Sequence, residues 1–359
     1  MSRFFAGFSA EGRPVSLRFG AGARADLSPE LATLGIRRAL VLTTPQQAPQ
    51  GQEMARALGP ACAGIFTEAT MHTPVEVTEA ALDALGDADG LIAIGGGSTV
   101  GLAKALAWRT DLPQIVLPTT YAGSEATPVL GQTENGVKST FASQKVQPEA
   151  VVYDPELVAS LPLGLTVTSA LNAIAHAVEG LYARDGNRLS SALALEGIRA
   201  FAGGLPLLRA APGDLAARED TLFGAWACGT VLAQVGMALH HKLCHTLGGS
   251  LGLPHAETHA ILLPHATAYN EAVAGPALAP VARILQADTA ADGLYDFAAR
   301  MGAPRALKDL GVSKADLDRV TELALANPYW NPRPVEAAPL RALLHRAFEG
   351  ARPEIERTT

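Results

Sequence analysis

Gly90-Leu91-Ile92-Ala93-Ile94-Gly95-Gly96-Gly97-Ser98-Thr99-Val100-Gly101-Leu102-Ala103-Lys104 decides the fold. The segment opens as a buried strand, breaks at three glycines and resumes with helical spacing through TVGLAKALAWRT. Bare glycines let a backbone approach a pyrophosphate, and the N–H groups and dipole of a helix start favour its negative charge. Ser98 is placed to cap that helix. A tight βα turn of purely structural use explains one glycine readily and three less so. Gly95, Gly96, Gly97 and Ser98 are therefore read as cofactor-binding.

Working outward, RRALVLTTP (37–45) and AGIFTEA read as strands with the helix EMARALG between them. TPVEVTEAALDALGDA reads as a helix with Thr73 as N-cap and Pro74 at its first position, and PQIVLPTT as the next strand. This βαβα alternation predicts a parallel, doubly wound sheet. QTENGVKST holds an Asn-Gly pair between extended runs, a hairpin signal, and AVVYDPELVASLP closes the last strand. Beyond it SALNAIAHAVEGLYA, SALALEGIRAFAGGL, EDTLFGAWACGTVLAQ and PLRALLHRAFEGA are helical in spacing. The expectation is an α/β Rossmann-like domain over 1–154 and an all-α domain over 155–359.

The bulk numbers agree with a two-domain enzyme. The 359 residues are 48% apolar and 18% charged, enough for buried cores, and only 5% aromatic. A net charge of −7 argues against nucleic acid or an acidic membrane as the partner. Cys62, Cys228 and Cys244 lie too far apart for a zinc knuckle and read as free thiols of a reducing compartment. No secretory h-region and no run of 18 apolar residues is seen, so a cytoplasmic protein is expected.

A second polar turn, Thr119-Thr120-Tyr121-Ala122-Gly123-Ser124, follows the strand PQIVLP at the edge where doubly wound sheets bind ligands. Thr119, Thr120 and Ser124 are read as holding phosphate or ribose, with a structural Ser/Thr turn as the alternative. Lys138, just past the hairpin turn, is in reach of a ribose hydroxyl or is simply a solvated charge.

The nine histidines are unevenly placed. Asn172 and His176 are four apart in a helical stretch, and His241 and His245 repeat that spacing in HKLCHTLGG, a helix ended by Gly248-Gly249. His255 follows in a loop within GLPHAETHAILLPH. Such pairs bind a transition metal or supply acid–base groups. His259, His265 and His345 are read as hydrogen-bonded core histidines.

GGGSTVGLAK (95–104), PTTYAGSEATP (118–128), the Asn172…His176 helix and HKLCHTLGGSLGLPH (241–255) resemble, in order and spacing, the motifs of the iron-type alcohol dehydrogenases. The fold implied is that of this superfamily and of dehydroquinate synthase. Its metal-dependent members hold iron or zinc with an aspartate and three histidines, which carry over to Asn172, His176, His241 and His255. At Asn172 a neutral amide replaces the anionic ligand a divalent cation favours. Gly101 stands where relatives carry aspartate, and TTYAGSEAT replaces the longer TTAGTGSE form.

These departures resemble the maleylacetate reductase branch, which reduces an enone dicarboxylate without requiring a metal. The resemblance implies NADH as donor, with NADPH also accepted because Thr44 stands where relatives place a carboxylate that repels a 2′-phosphate. It implies a homodimer acting on a small dicarboxylate. Hydride then goes to the alkene carbon β to the ketone, and the α-carbon is protonated. His245 is the expected acid; His241 and His255 polarise the ketone, and His176 orients them. Tyr121, Asn172, Lys242 and Arg333 are expected around the substrate. Two other readings stand beside this one: a metal-dependent alcohol or aldehyde oxidoreductase in which Asn172 still ligates, and a non-catalytic module that senses NADH.

Overall fold

The computed structural model describes residues 15–356. They form β1 (Ser16–Phe19), α1 (Ser28–Leu34), β2 (Ala39–Leu42), α2 (Ala48–Leu58), β3 (Cys62–Phe66), α3 (Val75–Asp83), β4 (Gly90–Gly95), α4 (Gly97–Thr110) and β5 (Gln114–Pro118). The hairpin β6 (Val129–Glu134) and β7 (Val137–Ala142) follows, then β8 (Ala150–Tyr153) and α5 (Pro155–Val158). The rest is helical: α6 (Leu163–Tyr182), α7 (Arg188–Ala210), α8 (Leu215–Gln234), α9 (Leu239–Leu251), α10 (His255–Leu285), α11 (Ala290–Met301), α12 (Lys314–Ala326) and α13 (Ala337–Glu349).

Six strands form one parallel sheet in the order β1-β8-β5-β4-β2-β3. Alternation along the strands supplies both faces with apolar side chains. Val41, Ile92, Ile94, Ile115 and Leu117 pack with Leu31 of α1 and Met54 of α2. Leu40, Leu42, Leu91, Ala93 and Val116 pack with Ala81 of α3 and Leu102 and Leu106 of α4. The chain leaves β2 for β3 on one side and returns to β4 on the other. β2 and β4 therefore flank the switch point of the sheet, whose carboxyl end is the usual ligand crevice.

The Asn-Gly signal is realised as the β6–β7 turn, with Asn135 and Gly136 at φ 50° and 77°. Three local expectations are corrected. Thr73 is not the cap of α3: Pro74 holds that position, and Thr73 sits at φ 46° with its carbonyl accepting the Thr133 N–H at 3.3 Å. Ser98 lies inside α4, whose N-cap is Gly96 with no side-chain cap. Gly248-Gly249 do not end α9, which runs to Leu251 and closes at Gly252 with φ 65°.

The chain divides into two compact units, and the division falls after Leu161 rather than at 154. Residues 15–161 belong with Gly213–Leu222, which includes the first turns of α8; the second unit holds Pro162–Pro212 and the chain from Phe223 onward. Among its described residues that second unit is helical throughout, with a core where Leu243 and Leu247 of α9 meet Ile261 of α10, Val320 of α12 and Leu344 of α13. Among the described helices α7 alone is long and apolar enough by composition to cross a membrane. It packs on α6 and α10 and buries Ile198, Phe201, Leu205 and Leu208, as a core helix does.

Candidate active site

In the sheet-bearing unit, Thr44 follows β2, Gly95–Gly97 follows β4 and Thr119-Thr120 follow β5, on three adjacent strands. The Thr119 N–H bonds the Gly95 carbonyl at 3.1 Å. A Cβ on Gly95 would fall 2.2 Å from the Thr99 hydroxyl, and one on Gly96 would fall 2.8 Å from the Thr120 side chain. Only glycine allows the turns to close this tightly. With no side-chain cap on α4, its first-turn N–H groups are left for an anion at the switch point. Gln47, which sequence reasoning missed, bridges the strand ends: its amide nitrogen donates to Thr119 Oγ1 at 2.5 Å, and its oxygen accepts from Thr44 Oγ1 at 3.3 Å.

Other residues of the second turn have different work. Tyr121, expected at the substrate, is fully buried with its hydroxyl 2.8 Å from Thr221 Oγ1. That expectation is corrected, because packing and Thr221 occupy the ring and hydroxyl. Ser124 is half-buried, and its carbonyl accepts from Lys104 Nζ. Lys138 lies on β7, and its side chain is outside the described residues.

In the helical unit, α6 carries Asn172, His176 and Glu179 on one face at i, i+4 and i+7. α9 brings His240, His241, Lys242, Cys244 and His245; α10 brings His255 and His259, so His255 opens a helix instead of lying in a loop. Glu179 is the organiser. Its two oxygens accept the main-chain N–H of Ala238 and of His240 and face His241 Nδ1, each at 2.7 Å. The carboxylate thus caps α9 from a neighbouring helix and fixes one histidine ring with the same two atoms. Burial pushes the Glu179 carboxyl above the usual range, opposed by His240 and these N–H groups.

The rings form a floor and a rim. His176 and His241 stack at 5.0 Å between centroids, and His259 stands 5.0 Å from His241. His240 Nε2 and His259 Nδ1 are 2.9 Å apart, so one donates to the other. Burial, together with the neighbouring imidazoles, holds His176, His241 and His259 well below the ordinary histidine range and brings His240 down to about 3. These rings are neutral near pH 7. Asn172 Oδ1, His176 Nδ1 and His241 Nε2 are buried without a hydrogen-bond partner among the described residues. On the exposed side His245 Nδ1 lies 2.9 Å from the Tyr329 hydroxyl, His255 stands 6.5 Å from His245, and Lys242 Nζ lies 5.6 Å over the Tyr329 ring.

The sequence matches the profile of the iron-containing alcohol dehydrogenases over residues 14–155 and the C-terminal profile of the Fe-containing alcohol dehydrogenase family over 166–348. It is 58% identical over 343 residues to a maleylacetate reductase of Rhizobium sp. (strain MTP-10005), covering 95% of this chain and 97% of that one. A maleylacetate reductase of Burkholderia cepacia is 51% identical over 96% of this chain and 99% of its own. The chain belongs to the iron-containing alcohol dehydrogenase family, in its maleylacetate reductase branch. The crystal structure of maleylacetate reductase from Agrobacterium tumefaciens superposes with a TM-score of 0.95 at 57% identity, over 97% of this chain and all of that one. A 1,3-propanediol oxidoreductase at 24% identity and a TM-score of 0.87 shares the fold.

The family name implies iron, and the residues at hand do not fit it well. The amide of Asn172 offers no anionic oxygen, and Glu179, the carboxylate nearest the rings, is turned to His241 Nδ1 and two main-chain N–H groups. Among the described residues, the His, Cys, Asp and Glu ligand atoms lying within 4.8 Å of one another belong to His240, Cys244 and His259, not to the carried-over His176, His241 and His255.

The structure thus gathers Asn172, His176, His241, His245, His255 and Lys242 as expected. It adds Glu179, His240, His259 and Tyr329. His259, read from sequence as a core histidine, is one of the floor rings. Glu179 was discoverable as the next residue on the Asn172–His176 face. Arg333 does not join them. It is buried, its guanidinium lies 4.2 Å over the Tyr269 ring, and it bonds the Tyr269 carbonyl and the Glu356 carboxylate. The expectation that it meets a substrate carboxylate is corrected, because its charge is already matched.

Proposed function

We propose that the chain reduces the carbon–carbon double bond of maleylacetate to give 3-oxoadipate, with NADH as donor and NADPH also accepted, and without a bound metal. The observation that carries this reading is the floor of neutral histidines around Asn172, an amide where metal-binding relatives keep a carboxylate. A dianionic substrate is repelled by a carboxylate and not by imidazoles.

The nicotinamide hydride adds to the alkene carbon β to the ketone, and charge develops on the ketone oxygen as an enolate. His245, in its doubly protonated form with Nδ1–H donated to the Tyr329 oxygen, gives its Nε2 proton to the α-carbon and is left as neutral imidazole, and its exposure lets solvent return the proton. One hydride and one proton are added, and NADH leaves as NAD+. Lys242, the cation of the rim, draws a substrate carboxylate. His241 makes no hydrogen bond to the ketone in its neutral form: with Nδ1–H given to Glu179, its Nε2 carries a lone pair. Its Nε2 accepts a hydrogen bond instead of donating one, and His255 is left as the ring donor to the enolate. Thr44, a hydroxyl residue where relatives place a carboxylate, does not repel a 2′-phosphate. The same reading places the enzyme in the cytoplasm as a homodimer.

NADH oxidation with maleylacetate, before and after exhaustive chelation, tests it. Turnover unaffected by chelation is expected. Activity lost and then restored by Zn2+ or Fe2+ overturns the metal-free reading, and no turnover at all overturns the substrate.

A further inference from the structure

Lys104, the last residue of the glycine-rich motif, is fully buried two helical turns into α4. Its Nζ meets the carbonyls of Ser124, Thr127 and Val129 at 2.5, 2.7 and 2.9 Å and Thr127 Oγ1 at 3.0 Å. Three of the four acceptors are main-chain carbonyls in the stretch from the Ser124 turn to the start of β6, and the Ser124 carbonyl also takes the Thr127 N–H at 3.2 Å. Glu125 in the same segment is buried and accepts the hydroxyl of Tyr153 on β8 at 3.1 Å. Burial lowers the Lys104 ammonium to about 7, and the Glu125 charge works the other way.

An apolar chain of equal length would fill this space without the desolvation cost of a cation. The cation does what that chain cannot: it ties the far end of the 119–129 segment to the helix whose first residues make the glycine turn. The near end is tied by the Thr119 N–H to the Gly95 carbonyl. We propose that Lys104 is a positioning residue for the cofactor, setting Thr119 and Thr120 against the Gly95–Gly97 turn by clamping Ser124, Thr127 and Val129 to α4. This rests on the reading of those two turns as the nucleotide site.

The test is NADH titration by fluorescence together with initial rates on Lys104→Met, on the milder Thr127→Ala, which removes one Lys104 acceptor and the hydroxyl's own bonds to the Ser124 carbonyl and the Val129 N–H, and on Gly96→Ala. Lys104→Met is expected to weaken NADH binding about tenfold or more and Thr127→Ala about threefold, with kcat at saturating NADH within about twofold of the parent. A general loss of folded protein would lower the active fraction without splitting affinity from kcat. Should Lys104→Met fail to fold, Thr127→Ala decides alone. Unchanged affinity in the folded variants, or a fall in kcat at unchanged affinity, overturns the proposal. If Gly96→Ala also leaves NADH binding unchanged, the nucleotide reading itself falls; if only Gly96→Ala weakens it, the Lys104 proposal falls and the reading stands.

Discussion

Replacing Glu179 by Gln should disable the histidine floor through one ring, and the geometry sets the size of the effect. The carboxylate accepts three N–H groups, from Ala238, His240 and His241, at 2.7 Å each. An amide has one accepting oxygen. In its better orientation that oxygen replaces Oε2 and keeps Ala238 and His241, while its NH2 is set against the His240 N–H. The His240 N–H and the new amide NH2 are then both buried donors without an acceptor, which together cost about 2–6 kcal/mol of stability. The neutral amide oxygen holds the proton on His241 Nδ1 more weakly than the charged carboxylate does, and the expected loss is about ten- to hundredfold in activity, the scale known for partners that orient metal-bound histidines. The assay is a double-mutant cycle: kcat for maleylacetate reduction in Glu179→Gln, His241→Ala and the double variant, at a temperature where each is folded by circular dichroism. If Glu179 acts through His241, its kcat effect largely disappears in the His241→Ala background, a coupling of about 1.4–2.7 kcal/mol. Multiplicative losses, with the double variant worse by the product of the two, would refute the argument and leave Glu179 as a helix cap only.

Four further outcomes follow from the same geometry. His245→Ala should lower kcat by about 10²–10⁴-fold, as loss of a general acid does, with NADH affinity unchanged by titration; an unchanged kcat moves the acid elsewhere. Lys242→Ala should raise the KM for maleylacetate while leaving that for NADH alone, and added salt should shrink the difference between variant and parent. Asn172→Asp should restore an anionic ligand and increase Zn2+ or Fe2+ retained after dialysis, read by metal analysis. Stability should fall as pH drops: His240 sits near 3 and His265 near 4, both depressed by burial, so below about 6.5 the unfolded chain takes up protons the folded one refuses. Each such histidine contributes about 1.4 kcal/mol per pH unit over that window, and His265→Gln should flatten the urea-unfolding pH profile by one proton's slope.

The sheet was legible because its signals are local and mutually consistent. GLIAIG is apolar at every position and ends in glycine, which suits a central parallel strand covered on both faces, as β4 is. The Asn-Gly turn needs only its own two residues. The caps were misread because a long-range contact outbid the local rule. Thr73 looks like an N-cap before Pro74, yet the Thr133 N–H from β6 takes its carbonyl and draws it into a left-handed conformation. Gly248 and Gly249 look like a helix end, yet Leu247 and Leu251 carry α9 on into the core and Gly252 closes it.

At the site, spacing revealed which residues share a helix face but not which way the face turns. The i, i+4 pairs Asn172/His176 and His241/His245 were readable, whereas the split between them was not. His241 is buried and His245 exposed although they are one turn apart: residues four apart are offset by about 40° around the helix, and His245 falls outside the buried face that Cys244 and Leu247 continue. His240 and His241 point about 100° apart on α9, which hides their relation in sequence. Glu179 reconciles them by taking the main chain of one and the ring of the other. Tyr121 and Arg333 were drawn into the site by turn-rich surroundings and by chemistry suited to a dicarboxylate, but Thr221 and Glu356 complete them first. A polar residue becomes available to a substrate only when the fold leaves it unsatisfied. By that criterion the orphaned Asn172 Oδ1, His176 Nδ1 and His241 Nε2 mark the reacting floor more firmly than residue type does.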